Sequence, residues 1–201
     1  MTKPIEQTRK PGIVYLAGPD VFYPNPMEAS RSKKDILQRF GLEGRFPMDN
    51  NLDPSGKRPE DFAFEIGRAN EAMIKDCDII IANMEPWHGP SMDVGTAYEM
   101  GFGRALGKIV IGYSHDRRSF SERVKAFLNQ EKAFHPEWKG DFTSKDGIEY
   151  GPDGNSIEAF GQMADNLMMV NAIVESGDSF IIHSTFEDAA MAAKSLWDQK
   201  K

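Results

Sequence analysis

At 201 residues, with 40% hydrophobic and 27% charged side chains, the chain has the size and balance of one globular domain spanning 1–201. Its formal charge of −7, with no local run of Lys and Arg, argues against a nucleic-acid partner, because phosphate backbones demand a basic surface. No apolar run approaches the roughly 18 residues of a membrane span. The polar opening MTKPIEQTRKPG lacks the apolar segment of a signal peptide, so a cytoplasmic location is expected.

Residues 1–11 read as a loose, flexible arm. Ile13 to Ala17 is a short apolar run stopped by Gly18-Pro19, the pattern of a buried first strand. A helix is predicted over 27–40, where Met27, Ile36, Leu37 and Phe40 recur at helical spacing, and Arg45-Phe46-Pro47 is a weak second strand. Asn50 to Pro59 is loop-like, and a helix follows over 60–75 with Phe62, Ile66, Ala69 and Met73 on one face. The lone cysteine, Cys77, falls where this helix meets the next strand and is expected to pack in the core.

Asp78 to Asn83 is the clearest strand, Lys108 to Tyr113 the next, and a helix of about three turns joins them. Ser121 to Leu128 reads as helical, and the polar, glycine-rich stretch 129–155 reads as a surface excursion. Ser156 is placed as the cap of a helix running to about Glu175, Ser179 to His183 as a fifth strand, and Thr185-x-x-Asp188 as the start of a last helix. Strands alternating with helices predict an α/β fold, a doubly wound, flavodoxin-like parallel sheet of five strands in the order 2-1-3-4-5. The loops after Ala17 and Asn83 then meet at the topological switch point, where such sheets bind ligands.

Chemistry concentrates in DIIIANMEPWHGPSMDVGTAYEMG, Asp78 to Gly101. Asp93 stands at the N-cap of the following helix, and Glu99 leans back over Thr96 and Gly95. Gly95 has no side chain to bar a ligand from the Glu99 carboxylate. On spacing alone the same residues also describe a capped surface helix with a packing glycine. Gly95, Gly101 and Gly103 fit neither G-x-G-x-x-G nor a P-loop, and close packing accounts for Gly101 and Gly103. Trp87 is placed either to stack on a flat base or to pack, and Asn70 lies beside an apolar helix stripe. His88, His115, His135 and His183 form no i,i+4 pair, so no metal site is predicted, and no G-x-S-x-G elbow supports a serine nucleophile.

YLAGPDVF (Tyr15 to Phe22), FPMDN (Phe46 to Asn50), Ile66 to Gly101 and FGQMADNLM (Phe160 to Met168) together resemble the nucleoside 2-deoxyribosyltransferase family, in order and over most of the chain. The resemblance implies transfer of 2-deoxyribose between bases, with Glu99 as nucleophile on C1' and a covalent, configuration-retaining intermediate. It implies that Asp93 holds the sugar hydroxyl and that Tyr15, Gly18, Asp20 and Phe22 line the pocket, with Tyr15 bonded to Glu99. Asn166 would arrive from a partner chain, which makes the protein a homo-oligomer, and Met168 of the same segment would join the substrate contacts. Its partners would be 2'-deoxynucleosides and free bases, with no cofactor. Several members carry aspartate where this chain has Asn70, and an amide cannot pass a proton to a base. The alternatives are a hydrolase of the same fold, acting on an N-glycosidic bond, and a non-catalytic nucleotide-sensing domain.

Overall fold

A computed structural model describes residues 10–138 and 140–200. Most of the predicted arm, residues 1–9, lies outside the described residues. The elements in chain order are β1 (Ile13–Ala17), α1 (Pro26–Arg39), β2 (Glu43–Arg45), α2 (Pro59–Asp76), β3 (Ile79–Asn83) and α3 (Val94–Ala105). They continue with β4 (Ile109–Tyr113), α4 (Phe120–Glu131), β5 (Thr143–Lys145), β6 (Ile148–Tyr150), α5 (Leu167–Val174) and α6 (Phe186–Gln199).

β1 to β4 form a parallel four-stranded sheet in the order β2-β1-β3-β4. Its central strands are near-continuous apolar runs because helices cover both faces. Strand parity then assigns each side chain to a layer. Val14, Leu16, Ile79, Ile81, Ile109 and Ile111 pack with Leu37 of α1 and Ala189 and Ala193 of α6. Tyr15, Ala17, Ile80, Ala82 and Val110 face the opposite layer, against Ile74 of α2, Met100 of α3 and Ile173 of α5. Fully buried Ile79, Ile80 and Ile81 each contribute about 1.5–3 kcal/mol. Cys77 belongs to the second core, as its position predicts.

Three expectations need correction. The sheet has four strands, not five: the segment at 179–183 makes one isolated bridge, Tyr113 to His183. Phe180 and Ile181 are about half exposed and only Ile182 is buried, so this apolar run has no second face to pack against. The helix expected from Ser156 begins only at Leu167, capped by Asn166, because Gly161 at φ 64° breaks the stretch before it. Gly103 is tightly packed, with a Cβ there falling 1.9 Å from Ile80 Cδ1, whereas one at Gly101 would meet nothing. The 129–155 excursion contains the end of α4 and the antiparallel β5–β6 hairpin, tied to α4 by Lys125–Glu149 at 2.6 Å.

Candidate active site

β1 pairs with β2 on one side and β3 on the other, so the loops after β1 and β3 part over a crevice. Gly18 allows them to meet: a Cβ there would lie 2.7 Å from Asn83 Cβ. The 3-10 turn Pro19–Phe22 follows. It points Asp20 inward, where the buried carboxylate accepts from Lys33 Nζ at 2.6 Å and Asn83 Nδ2 at 3.1 Å. Asp20 is therefore a brace beneath the turn. Phe22, by contrast, is 65% exposed and stacks on Trp87, their ring centroids 5.9 Å apart. Trp87 does not line the cleft; it backs Phe22 and carries His88 edge-on.

The cleft holds about 490 Å³, room for a nucleoside-sized ligand. Glu99, Asp93 and Gly95 form one wall with Gly18 and Phe22, and Asn70 lies in the lining too. Strand parity turns Tyr15 toward α3, and its hydroxyl donates to Glu99 Oε1 at 2.5 Å. Burial, opposed by that hydrogen bond and reinforced by the Asp93 charge, pushes the Glu99 carboxyl up to about 7. Burial and the Glu99 charge hold the Tyr15 phenol far above its ordinary value, so it acts as a donor at all working pH.

Asp93 caps α3: its Oδ2 accepts from Thr96 N at 2.9 Å and Thr96 Oγ1 at 3.0 Å. Both bonds fall on one oxygen, which leaves Oδ1 for a ligand. A Cβ at Gly95 would meet only Asp93, at 3.0 Å, so the approach to Glu99 is open. Arranged this way, the site offers a half-buried, oriented carboxylate and a second acid at the mouth of one crevice.

The sequence missed part of this lining. Phe62 and Ile66, which look like a core stripe on α2, form a cleft wall, and Pro47, Met48 and Asn50 add another side. Asn50 Nδ2 donates to the Pro47 carbonyl at 3.0 Å and to Asn70 Oδ1 at 3.3 Å. The carbonyl can only accept, so it fixes the Asn50 amide, and that in turn fixes the Asn70 amide with its NH2 unused. FPMDN was the available signal for Asn50.

Asn166 and Met168 are not brought to this cleft within one chain. Asn166 Oδ1 accepts from Met168 N at 3.0 Å, its Nδ2 donates to Glu158 at 2.6 Å, and Met168 is 61% exposed. Among the described residues no group of His, Cys, Asp or Glu is placed to hold a metal, and no helix is long and apolar enough to cross a membrane.

A crevice at the switch point of a doubly wound sheet, walled by paired acids and apolar side chains, defines a class of α/β proteins that bind small ligands at their strand ends. Residues 14–168 match the family model described as nucleoside 2-deoxyribosyltransferase, and the chain belongs to that family. It is 30% identical over 193 residues to an uncharacterized protein of Schizosaccharomyces pombe, covering 94% of this chain and 90% of that one. Among solved structures, a 2-desoxiribosyltransferase from Leishmania mexicana is 26% identical with a TM-score of 0.62, covering 92% of this chain and 98% of that one. A conserved protein from Enterococcus faecalis V583 shares the fold at 19% identity and a TM-score of 0.56, covering 92% and 98% of the two chains.

Proposed function

We propose that this protein is a nucleoside 2-deoxyribosyltransferase working through a covalent deoxyribosyl-Glu99 intermediate. The observation that carries the reading is the Glu99 carboxylate, half-buried on the cleft wall, fixed by the Tyr15 hydroxyl at 2.5 Å and approached over Gly95. An ionised Glu99 oxygen attacks C1' of a 2'-deoxynucleoside from the face opposite the base. The C1'–N bond breaks and its electron pair leaves with the base. A ring nitrogen of a second base then attacks C1' and expels Glu99, so two inversions retain the configuration.

Each neighbour has a part in this reading. Tyr15 orients Glu99 and favours its ionised form by donating to it. Asp93 accepts a sugar hydroxyl on Oδ1 while Oδ2 keeps the helix cap. Phe22, Phe62 and Ile66 enclose the flat base, and Asn70 offers its NH2 to a base acceptor. Asp20 is engaged with Lys33 and Asn83, so water supplies the proton the departing base takes up. Asn166 and Met168 serve the cleft of a neighbouring copy in a homo-oligomer. No cofactor takes part.

The test is base exchange. With deoxyinosine and adenine, deoxyadenosine should form at a rate set by adenine, and Glu99→Ala should lower it by about 10³-fold or more while the fold persists. Release of free deoxyribose independent of adenine would make the protein a hydrolase instead.

A further inference from the structure

We propose a second ligand site, for a small oxyanion such as phosphate or a carboxylate, in the cavity of about 330 Å³ between the β3–α3 loop and α4. Arg123 of α4 lines this cavity with its side chain only 3% exposed. Its donors are poorly matched by protein. Nη2 reaches the Ala164 carbonyl and, at 3.5 Å, Asp165, while the buried Nε has no hydrogen-bond partner.

Asp165 faces it with its charge at 3.5 Å but makes no close hydrogen bond to it, because nearer donors already claim both its oxygens. Ser91 Oγ donates at 2.5 Å, Asn166 N at 2.8 Å and Met92 N at 3.0 Å. A buried N–H without an acceptor costs about 1–3 kcal/mol, and more when it carries charge. Such an orphan in a native fold calls for an occupant, a water or an ion.

The cavity around it favours an anion. Arg118 stands in its lining, its own side chain exposed to water and bonded at 2.6 Å to the partly buried Asp116. Gln130 adds a donor, and Pro86, Pro90 and Phe127 supply apolar walls that lower the local dielectric. Two guanidinium groups in one lining are the donor type that carboxylate and phosphate oxygens accept. The 330 Å³ is far more than one water requires. Because the same loop carries Trp87 to the mouth of the cleft, an anion here would brace the wall behind Phe22.

The experiment is titration calorimetry of the full chain with inorganic phosphate and with acetate, in separate runs held at one ionic strength with sodium chloride. One saturable equivalent of either anion is expected, and the stronger of the two identifies the ligand chemistry. Arg118→Glu should weaken that binding at least about tenfold while base exchange measured without added anion is unchanged. Arg123→Met should abolish the binding, and Gln130→Glu should weaken it, which keeps the test sound if Arg123→Met fails to fold. No saturable binding of either anion, or equal affinity in Arg118→Glu, would overturn the site and leave a water-filled cavity. Neither result bears on Glu99.

Discussion

Glu99 carries a conflict that follows from its surroundings. Burial and Asp93 favour its neutral form, the Tyr15 hydroxyl favours its charged form, and the outcome is a carboxyl lifted from an ordinary 4.5 to about 7. Only the charged form can attack C1', so exchange should rise with pH through about 7 and level off above it. A pH profile of kcat/KM that is flat between about pH 5 and 8 would contradict this assignment. Tyr15→Phe removes the donor that favours ionisation; the acid limb should move to higher pH and the rate at neutral pH fall on the order of tenfold, a pKa unit's worth. The same shift has a stability signature. Between 4.5 and 7 the native carboxyl still holds a proton that the unfolded chain has released, so stability falls as pH rises across that window. Glu99→Gln removes the penalty and should stabilise the protein by about 2 kcal/mol at about pH 8, with little effect near pH 4.5. Denaturant melts at the two pH values check it. Sequence pattern alone gave Glu99 and Asp93 as residues worth watching; the family resemblance added Tyr15, whose hydroxyl comes from 84 positions away. FPMDN marked the Asn50 segment without giving Asn50 a place in the cleft, and Phe62 and Ile66 stayed hidden because a periodic apolar stripe does not say whether it faces a core or a cleft.

At the scale of elements, α3 is where folding and the proposed chemistry meet. Asp93 is both its cap and a cleft acid, and the two roles separate by substitution. Asp93→Asn keeps a capping oxygen and should cost little stability while impairing exchange, whereas Asp93→Ala should lose about 1 kcal/mol as well. Thermal melts beside kinetics distinguish them. Farther along the helix, Gly103→Ala would place a methyl against Ile80 and force α3 off β3, costing about 1–3 kcal/mol, while Gly101→Ala should be neutral or slightly stabilising. β1, β3, β4 and the helices between them were legible because local patterning and tertiary burial agree there. The expected fifth strand was not, since hydrophobicity marks a segment able to pair but does not supply a face to cover it. The late start of α5 was missed for a related reason: Gly161 and Asn166 are breaker and cap signals that an extended apolar pattern obscured.

For the whole molecule, four parallel strands with helices on both faces place an acid-walled crevice at the switch point. The proposed role of Asn166 in a neighbouring copy's cleft requires at least a dimer, which light scattering should report; a monomer at working concentration would remove Asn166 from the proposed site. The most direct test of the central claim is mass spectrometry of the protein mixed with a 2'-deoxynucleoside and quenched in acid before the acceptor base is added. The account predicts a mass increase of one deoxyribosyl unit, located on the peptide bearing Glu99 and absent from Glu99→Ala. Full exchange activity in Glu99→Ala, or an adduct on another residue, would contradict it.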